Sequence, residues 1–258
     1  MISSRALRRM SVSIAIPAMN EAANLPYVLP RIPALPEIVE VILVDGGSSD
    51  DTVEVARACL PSIRIIRQEG KGKSDAVRCG VQAAGGEFVL TMDADGSHDP
   101  DDIPRFVAGA RTGYDLVKGA RYLPGGGSFD DTRLRRNLVW ITDRVANTLW
   151  GTHFTDIVFG MFMIRQLCFL DLELTSNGFA IESQIVARAA RRGYRICEIP
   201  VVERSRLSGS SHLSIIRDGW FIGSTVFAEF GHRVIEAVSP LSRARSRSDT
   251  DRKRISTG

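Results

Sequence analysis

The feature that most constrains this chain is an alternation. Four apolar runs rich in β-branched residues, at 12–16, 39–44, 63–66 and 88–92, are separated by helix-length stretches at 21–32, 52–60 and 73–84. Strand–helix repeats of this kind predict βαβ units and a mostly parallel sheet. Runs that stay apolar at every position suit strands covered by helices on both faces. In such a sheet ligands collect beyond the carboxyl ends of the strands. The polar clusters fall there: Asn20 and Glu21 after the first run, residues 45–51 after the second and 93–99 after the fourth.

Past residue 100 the pattern loosens. It predicts a short strand at 115–119, a flexible LPGGGS loop at 123–128, helices at 133–150 and 180–192, and an apolar segment at 154–164. A late strand at 196–202, a polar loop at 203–212 and an apolar-rich helix at 213–238 follow. The resulting division is a basic segment 1–11, one folded domain 12–212, a helix 213–239 and a basic tail 240–258 too poor in apolar residues to fold. Residues 241–258 carry a net charge of +4 within a chain total of +3, so the remainder sums to −1. That balance excludes a nucleic-acid-binding surface on the folded part.

No run approaches the ~20 apolar residues of a membrane span. The N-terminus lacks the apolar stretch of a signal peptide. Cys59, Cys79, Cys168 and Cys197 form neither a zinc motif nor a disulfide framework. A cytoplasmic setting is therefore expected.

Asp93-Ala94-Asp95 directly follows the fourth run. Two carboxylates at i and i+2 past a strand end can face one hard cation, Mg²⁺ or Mn²⁺, with positions left open for phosphate oxygens. The triplet alone also fits a solvated acidic turn, or the nucleophile and acid of a haloacid-dehalogenase-type phosphotransferase. An EF-hand is excluded, because its twelfth position is Pro104 rather than Glu. Asp45, followed by Gly46 and Gly47, stands where it can accept hydrogen bonds from a nucleoside. Lys71, in Gly70-Lys71-Gly72-Lys73, is a candidate diphosphate contact at a helix start, without P-loop spacing. Trp140, Trp150 and Trp220 read as core; His98 and His153 as supporting or surface groups. Glu182 faces either the acceptor or solvent.

Taken in order, VSIAIPAMNEAANL, VILVDGGSSDDT, GKGKSDAVRCG, VLTMDADGSHDP, VKGARYLPGG, FTDIVFGMFMIR, GFAIESQIVARAARRGYRICEIPV and RSRLSGSSHLS resemble family 2 glycosyltransferases. The similarity is strongest to the catalytic domains of the dolichol-phosphate mannosyltransferase and polyprenyl-phosphate glycosyltransferase group, and it spans about 12 to 215. It implies a single GT-A domain, an α/β, Rossmann-like, mostly parallel sheet flanked by helices. It further implies metal-dependent, inverting transfer from a nucleoside diphosphate sugar (GDP-mannose or UDP-hexose) to a polyprenyl phosphate or a hydroxyl acceptor.

By the same resemblance Pro17, Met19 and Glu21 match the N-terminal nucleotide-binding stretch, and Val44 and Asp45 the nucleoside-binding strand end. The family usually has a second Asp where Gly46 stands. Asp93, Ala94 and Asp95 match the metal and nucleotide triplet. Arg121 matches an arginine on the donor-phosphate side, and Asp156 falls in the acidic segment near the acceptor, a general base if that acceptor is a hydroxyl. Arg206 and His212 match a basic pair that grips the diphosphate, more often completed by Lys. A different-class alternative is a non-catalytic nucleotide-sugar binder. The aromatic residues of 213–238 and the basic tail suggest peripheral attachment at the cytoplasmic membrane face.

Overall fold

The computed structural model describes residues 10–178, 180–209, 219 and 222–231. Strand β1 (Val12–Ala18) leads through a turn into the short helix α1 (Leu25–Val28), then β2 (Ile38–Asp45), α2 (Thr52–Cys59), β3 (Arg64–Arg67), α3 (Lys73–Ala83) and β4 (Phe88–Thr91). The expected helix at 21–32 is only α1 and a 3₁₀ turn, Leu29–Arg31, because Pro26 and Pro30 remove backbone donors from any longer ladder. Next come α4 (Ile103–Arg111), β5 (Leu116–Ala120), β6 (Gly127–Ser128), α5 (Arg133–Trp150), β7 (Phe162–Arg165), α6 (Gln166–Asp171), α7 (Ile181–Arg191), β8 (Ile196–Pro200) and β9 (Val202–Glu203). Residues 219 and 222–231 are helical; the rest of the expected helix 213–238 and the segments 1–9 and 240–258 lie outside the described residues.

Seven strands form one sheet in the order β3-β2-β1-β4-β7-β5-β8. All neighbours are parallel except at β7, which is antiparallel to both β4 and β5. Both faces of β1 are buried, and its side chains divide by the two-residue period. Ile14 and Ile16 join Leu25, Val28, Ile103 and Phe106 on one side; Ala15 joins Val77, Val81, Phe169 and Ile185 on the other. A third cluster gathers Ala146, Trp150, Ile157, Val186 and Val226 where α5, α7 and residues 222–231 meet. Trp150 fulfils its expected core place, whereas Trp140 is 62% exposed; Trp220 lies outside the described residues.

This order places a topological switch point at β1/β4. The chain leaves β1 toward β2 on one side, and β4 lies on the other, so the loops after β1 and β4 diverge and open a crevice. Because β7 runs the opposite way, its approach enters at the carboxyl end of β4, where Thr91 pairs with Phe162. Residues 156–161 are thereby drawn to the same edge as Asp93.

Candidate active site at the carboxyl ends of β1 and β4

The loop after β4 is shaped by its own side chains. Asp95 Oδ1 accepts the Ser97 N–H at 2.9 Å and the Ser97 hydroxyl at 2.6 Å, and Gly96 takes φ +82°, a left-handed turn that favours glycine. His98 Nδ1 accepts the Asp93 N–H at 2.9 Å. That bond directs its Nε2 toward the Asp93 carboxylate, 3.9 Å away. Burial lowers the His98 pKa against the pull of Asp93, and the ring braces the loop.

Four carboxylates and two cations from distant parts of the sequence then converge. Lys73, the first residue of α3, places Nζ 2.8 Å from Asp93 Oδ2 and 3.3 Å from Glu182 Oε1. Burial alone would raise the Asp93 pKa, but the Lys73 ammonium, with smaller contributions from His98 and Arg206, brings it down to about 2. Burial opposes the charge on Lys73, and Asp93 with Glu182 more than restores it, leaving its pKa raised. Arg206 bridges Asp95 Oδ2 at 2.8 Å and Glu21 Oε1 at 3.3 Å. Glu21 is held above the usual carboxylate range by burial, despite its hydrogen bond from Asn24 and the nearby Arg206.

Arg206 reaches this place because the loop after β9 docks by its backbone: Arg204 N–H donates to Ser97 O at 2.9 Å and Leu207 N–H to Asp95 O at 3.1 Å. The loop after β1 is tied to the loop after β2 in the same manner. Ser49 N–H donates to Asn20 Oδ1 at 2.8 Å and Glu21 N–H to Thr52 Oγ1 at 2.8 Å. Asp45 folds back to accept the Gly47 and Ser48 N–H groups at 3.1 and 3.0 Å.

Arg121 and Asp156 form a second, buried cluster. The guanidinium meets Asp156 through Nε to Oδ2 at 2.7 Å and Nη2 to Oδ1 at 3.0 Å, and meets Glu203 Oε2 at 3.0 Å. Asp156 is 0% exposed and Arg121 3%. Burial works against the Arg121 charge, but Asp156 and Glu203 outweigh it and raise its pKa. Phe159 joins the two clusters, its ring 4.7 Å from that of His98 and 5.1 Å from the Arg121 guanidinium carbon.

The structure thus gathers Glu21, Asp93, Asp95 and Arg206 at one crevice, with Asp45 on the adjoining strand end. Val44 and Ala94 are buried supports, Pro17 is half-buried, and Met19 and Lys71 are exposed. His212 lies outside the described residues. Arg121 and Asp156 stand behind the crevice, committed to each other. Sequence reasoning favoured Lys71 over Lys73; the first helical position, aimed at the neighbouring strand end, is the signal that separates them. Glu182 is 2% exposed, so its solvent-facing reading is corrected: α7 turns it inward onto Lys73. Its Oε2 has no partner.

Among the described residues no group of three His, Cys, Asp or Glu side chains forms a self-sufficient metal site. The chemistry of the donor set nevertheless fits a hard divalent cation. Asp93 and Asp95 offer carboxylate oxygens, and the cluster of Glu21, Asp93, Asp95 and Glu182 has two more acids than the bases Lys73 and Arg206.

Comparison with known proteins agrees with this architecture. The model for "Glycosyl transferase family 2" matches residues 13–169. An undecaprenyl-phosphate mannosyltransferase of Micrococcus luteus is 33% identical over 228 residues, 84% of this chain and 91% of that protein. A polyprenol monophosphomannose synthase of Mycolicibacterium smegmatis is 30% identical over 219 residues, 78% and 80% of the two chains. Among solved structures, glucosyl-3-phosphoglycerate synthase from Mycobacterium tuberculosis, in complex with Mn²⁺, UDP-glucose and phosphoglyceric acid, superposes with a TM-score of 0.69. That likeness covers 86% of this chain and 80% of the other at 21% identity, and it identifies the fold.

Proposed function

The chain belongs to glycosyl transferase family 2 and is a GT-A-fold glycosyltransferase, and from that premise we propose that it moves a hexosyl group from a nucleoside diphosphate sugar to a polyprenyl phosphate. The observation that carries this reading is the meeting of Asp93 and Asp95 with Lys73 and Arg206 at the crevice between β1 and β4. Asp93 and Asp95 would hold Mg²⁺ or Mn²⁺, which when bound neutralises charge on the leaving diphosphate.

The remaining roles belong to the chain's own residues. Arg206, held by Glu21 and Asp95, is oriented to meet diphosphate oxygens, and Lys71 stands exposed on the neighbouring loop to add a second contact. Asp45, with Pro17, Met19 and Val44, would border the nucleoside. An oxygen of the acceptor phosphate bonds to the anomeric carbon as the bond from that carbon to the diphosphate breaks, with inversion.

A phosphate acceptor needs no general base. The engagement of both Asp156 oxygens by Arg121 supports this acceptor over a hydroxyl, which would require a free carboxylate. In this role Arg121 holds the 156–161 segment against the donor side. The names of the Micrococcus and Mycolicibacterium relatives support the lipid-phosphate class; GDP-mannose and UDP-hexoses are the donors to try. Family membership sets aside the phosphotransferase reading of Asp93.

Calorimetry with GDP, UDP and their sugars, with and without Mn²⁺ or Mg²⁺, tests the proposal on the wild type and Asp95→Ala. Metal-dependent binding of one nucleotide, lost in the variant, is expected. Labelled sugar should then appear on an added polyprenyl phosphate. Absence of nucleotide binding under every metal condition would refute the reading, and binding without transfer to any acceptor would leave a non-catalytic binder.

A further inference from the structure

Helix α5 has two apolar faces, and only one is used inside the domain. Val139, Asp143, Ala146 and Trp150 point inward. On the outside Leu134, Leu138 and Ile141, at i, i+4 and i+7, are 60%, 41% and 49% exposed and form one stripe. Phe129, just before the helix, is 73% exposed. A contiguous exposed apolar face of this kind marks an interaction surface.

The charges beside the stripe identify its partner. Arg133 and Arg144 are exposed along the same helix, while Arg136, turned away from the stripe, is paired with Asp131 at 2.7 Å. The one acidic residue of α5, Asp143, is 5% exposed and faces the interior, accepting the Ile157 N–H. Trp140, 62% exposed, lies on the arginine side of the stripe. Apolar side chains bordered by arginine and tryptophan suit an anionic lipid surface, with the apolar groups below the headgroups and the cations among them. A second copy docked by the same face would bring arginine against arginine.

Position strengthens the case. Arg135, in the first turn of α5, shares Glu203 with Arg121 at 3.0 Å, and Asp130, just before it, accepts the Ser205 hydroxyl at 2.8 Å next to Arg206. The stripe therefore begins beside the crevice. In contrast, the described part of the C-terminal helix, where the sequence suggested membrane contact, packs one face on the domain and leaves Phe227 as its one exposed large apolar side chain among the described residues. Val226 is 1% exposed, and Glu229 is held by Gln184, Arg188 and Arg191.

We propose that the outer face of α5, carried by Leu134, Leu138, Trp140 and Ile141, docks on an anionic membrane surface and sets the crevice at the headgroup level. This deepens, and rests on, the lipid-phosphate reading of the acceptor. The test is sedimentation of the full chain with phosphatidylcholine vesicles containing or lacking phosphatidylglycerol. Wild type should bind the anionic vesicles, less so at high salt. The Leu138→Glu/Ile141→Glu variant should lose about tenfold or more of that affinity, while Phe227→Glu, on the C-terminal helix, should keep it. Brominated phosphatidylglycerol should quench tryptophan fluorescence in wild type and much less in Trp140→Phe, a reading that does not depend on the double variant.

Nucleotide affinity measured by calorimetry in the double variant should match wild type. Failure on the membrane is thus distinguishable from failure of the donor reading. The proposal is overturned if wild type ignores anionic vesicles, if the double variant binds as well, or if Phe227→Glu is the variant that fails. Light scattering that finds a wild-type dimer dissolved by the double variant would equally overturn it, assigning the face to a second copy.

Discussion

Replacing Arg121 by alanine separates a structural role from a direct contact with the donor. The guanidinium makes two hydrogen bonds to Asp156, at 2.7 and 3.0 Å, and one to Glu203 at 3.0 Å. Without it Asp156, 0% exposed, keeps the Arg121 backbone N–H at 3.0 Å and loses its counter-charge. Glu203 suffers less, because Arg135 and the Ser128 hydroxyl remain. Removing one partner of a buried pair costs about 3–5 kcal/mol, since the other charge stays buried. Against a total stability of about 5–15 kcal/mol, and with about 2–4 °C of melting temperature per kcal/mol at this size, Arg121→Ala should melt roughly 6–20 °C below wild type. Urea unfolding of Arg121→Met, Asp156→Leu and the Arg121→Met/Asp156→Leu double variant, beside Arg121→Ala, completes the cycle. The double variant should recover part of the loss. If Arg121→Ala unfolds at the wild-type urea concentration yet loses transfer activity, the structural role is refuted and the guanidinium acts on the donor itself.

Asp143 and Gly96 carry two further predictions. Burial, with a smaller push from Asp156, raises the Asp143 pKa to about 7, so the folded protein binds a proton that the unfolded chain releases near pH 4. Stability from this group is full below that pH and falls as pH rises through about 7. Asp143→Asn can still accept the Ile157 N–H, so relative to wild type it should gain roughly 2–3 kcal/mol in urea unfolding between about pH 5 and pH 8; parallel pH profiles would contradict the assignment. A Cβ on Gly96, at φ +82°, would stand 2.6 Å from Leu207 Cδ1. Gly96→Ala should therefore cost about 1–3 kcal/mol and, by displacing the loop that carries Arg206, weaken nucleotide binding about tenfold. Unchanged nucleotide affinity in calorimetry would separate Arg206 from the donor.

What was legible in the sequence is local. The runs that became β1, β2 and β4 declared themselves because strands covered on both faces stay apolar over their central positions, and the edge strand β3 through the isoleucines of 63–66 alone. The triplet Asp93-Ala94-Asp95 was legible because it abuts such a run, and α2, α3, α5 and α7 appeared close to their observed bounds. Proline broke the rule at 26 and 30, leaving α1 with four residues.

Long-range placement was decided by the tertiary structure. An apolar segment at 154–164 does not state its direction; the pairing of β7 between β4 and β5 makes it antiparallel and brings Gly160 and Phe159 to the crevice. Nothing near Lys73 in sequence indicates Asp93 or Glu182, and Arg206 reaches Glu21 across 185 positions because backbone bonds dock its loop on residues 95–97. Asp156 read as a candidate base, and its geometry with Arg121 depends on contacts that periodicity does not encode. Helix α5 shows the limit most plainly. Its sequence is apolar on two sides, and only packing against Ile157 and Val226 selects the inner one, leaving Leu134, Leu138 and Ile141 facing out. Local patterns fix which residues form strands and helices because hydrogen bonding and periodicity are short-range; which charges meet, and which apolar face stays uncovered, depends on how those elements fill space.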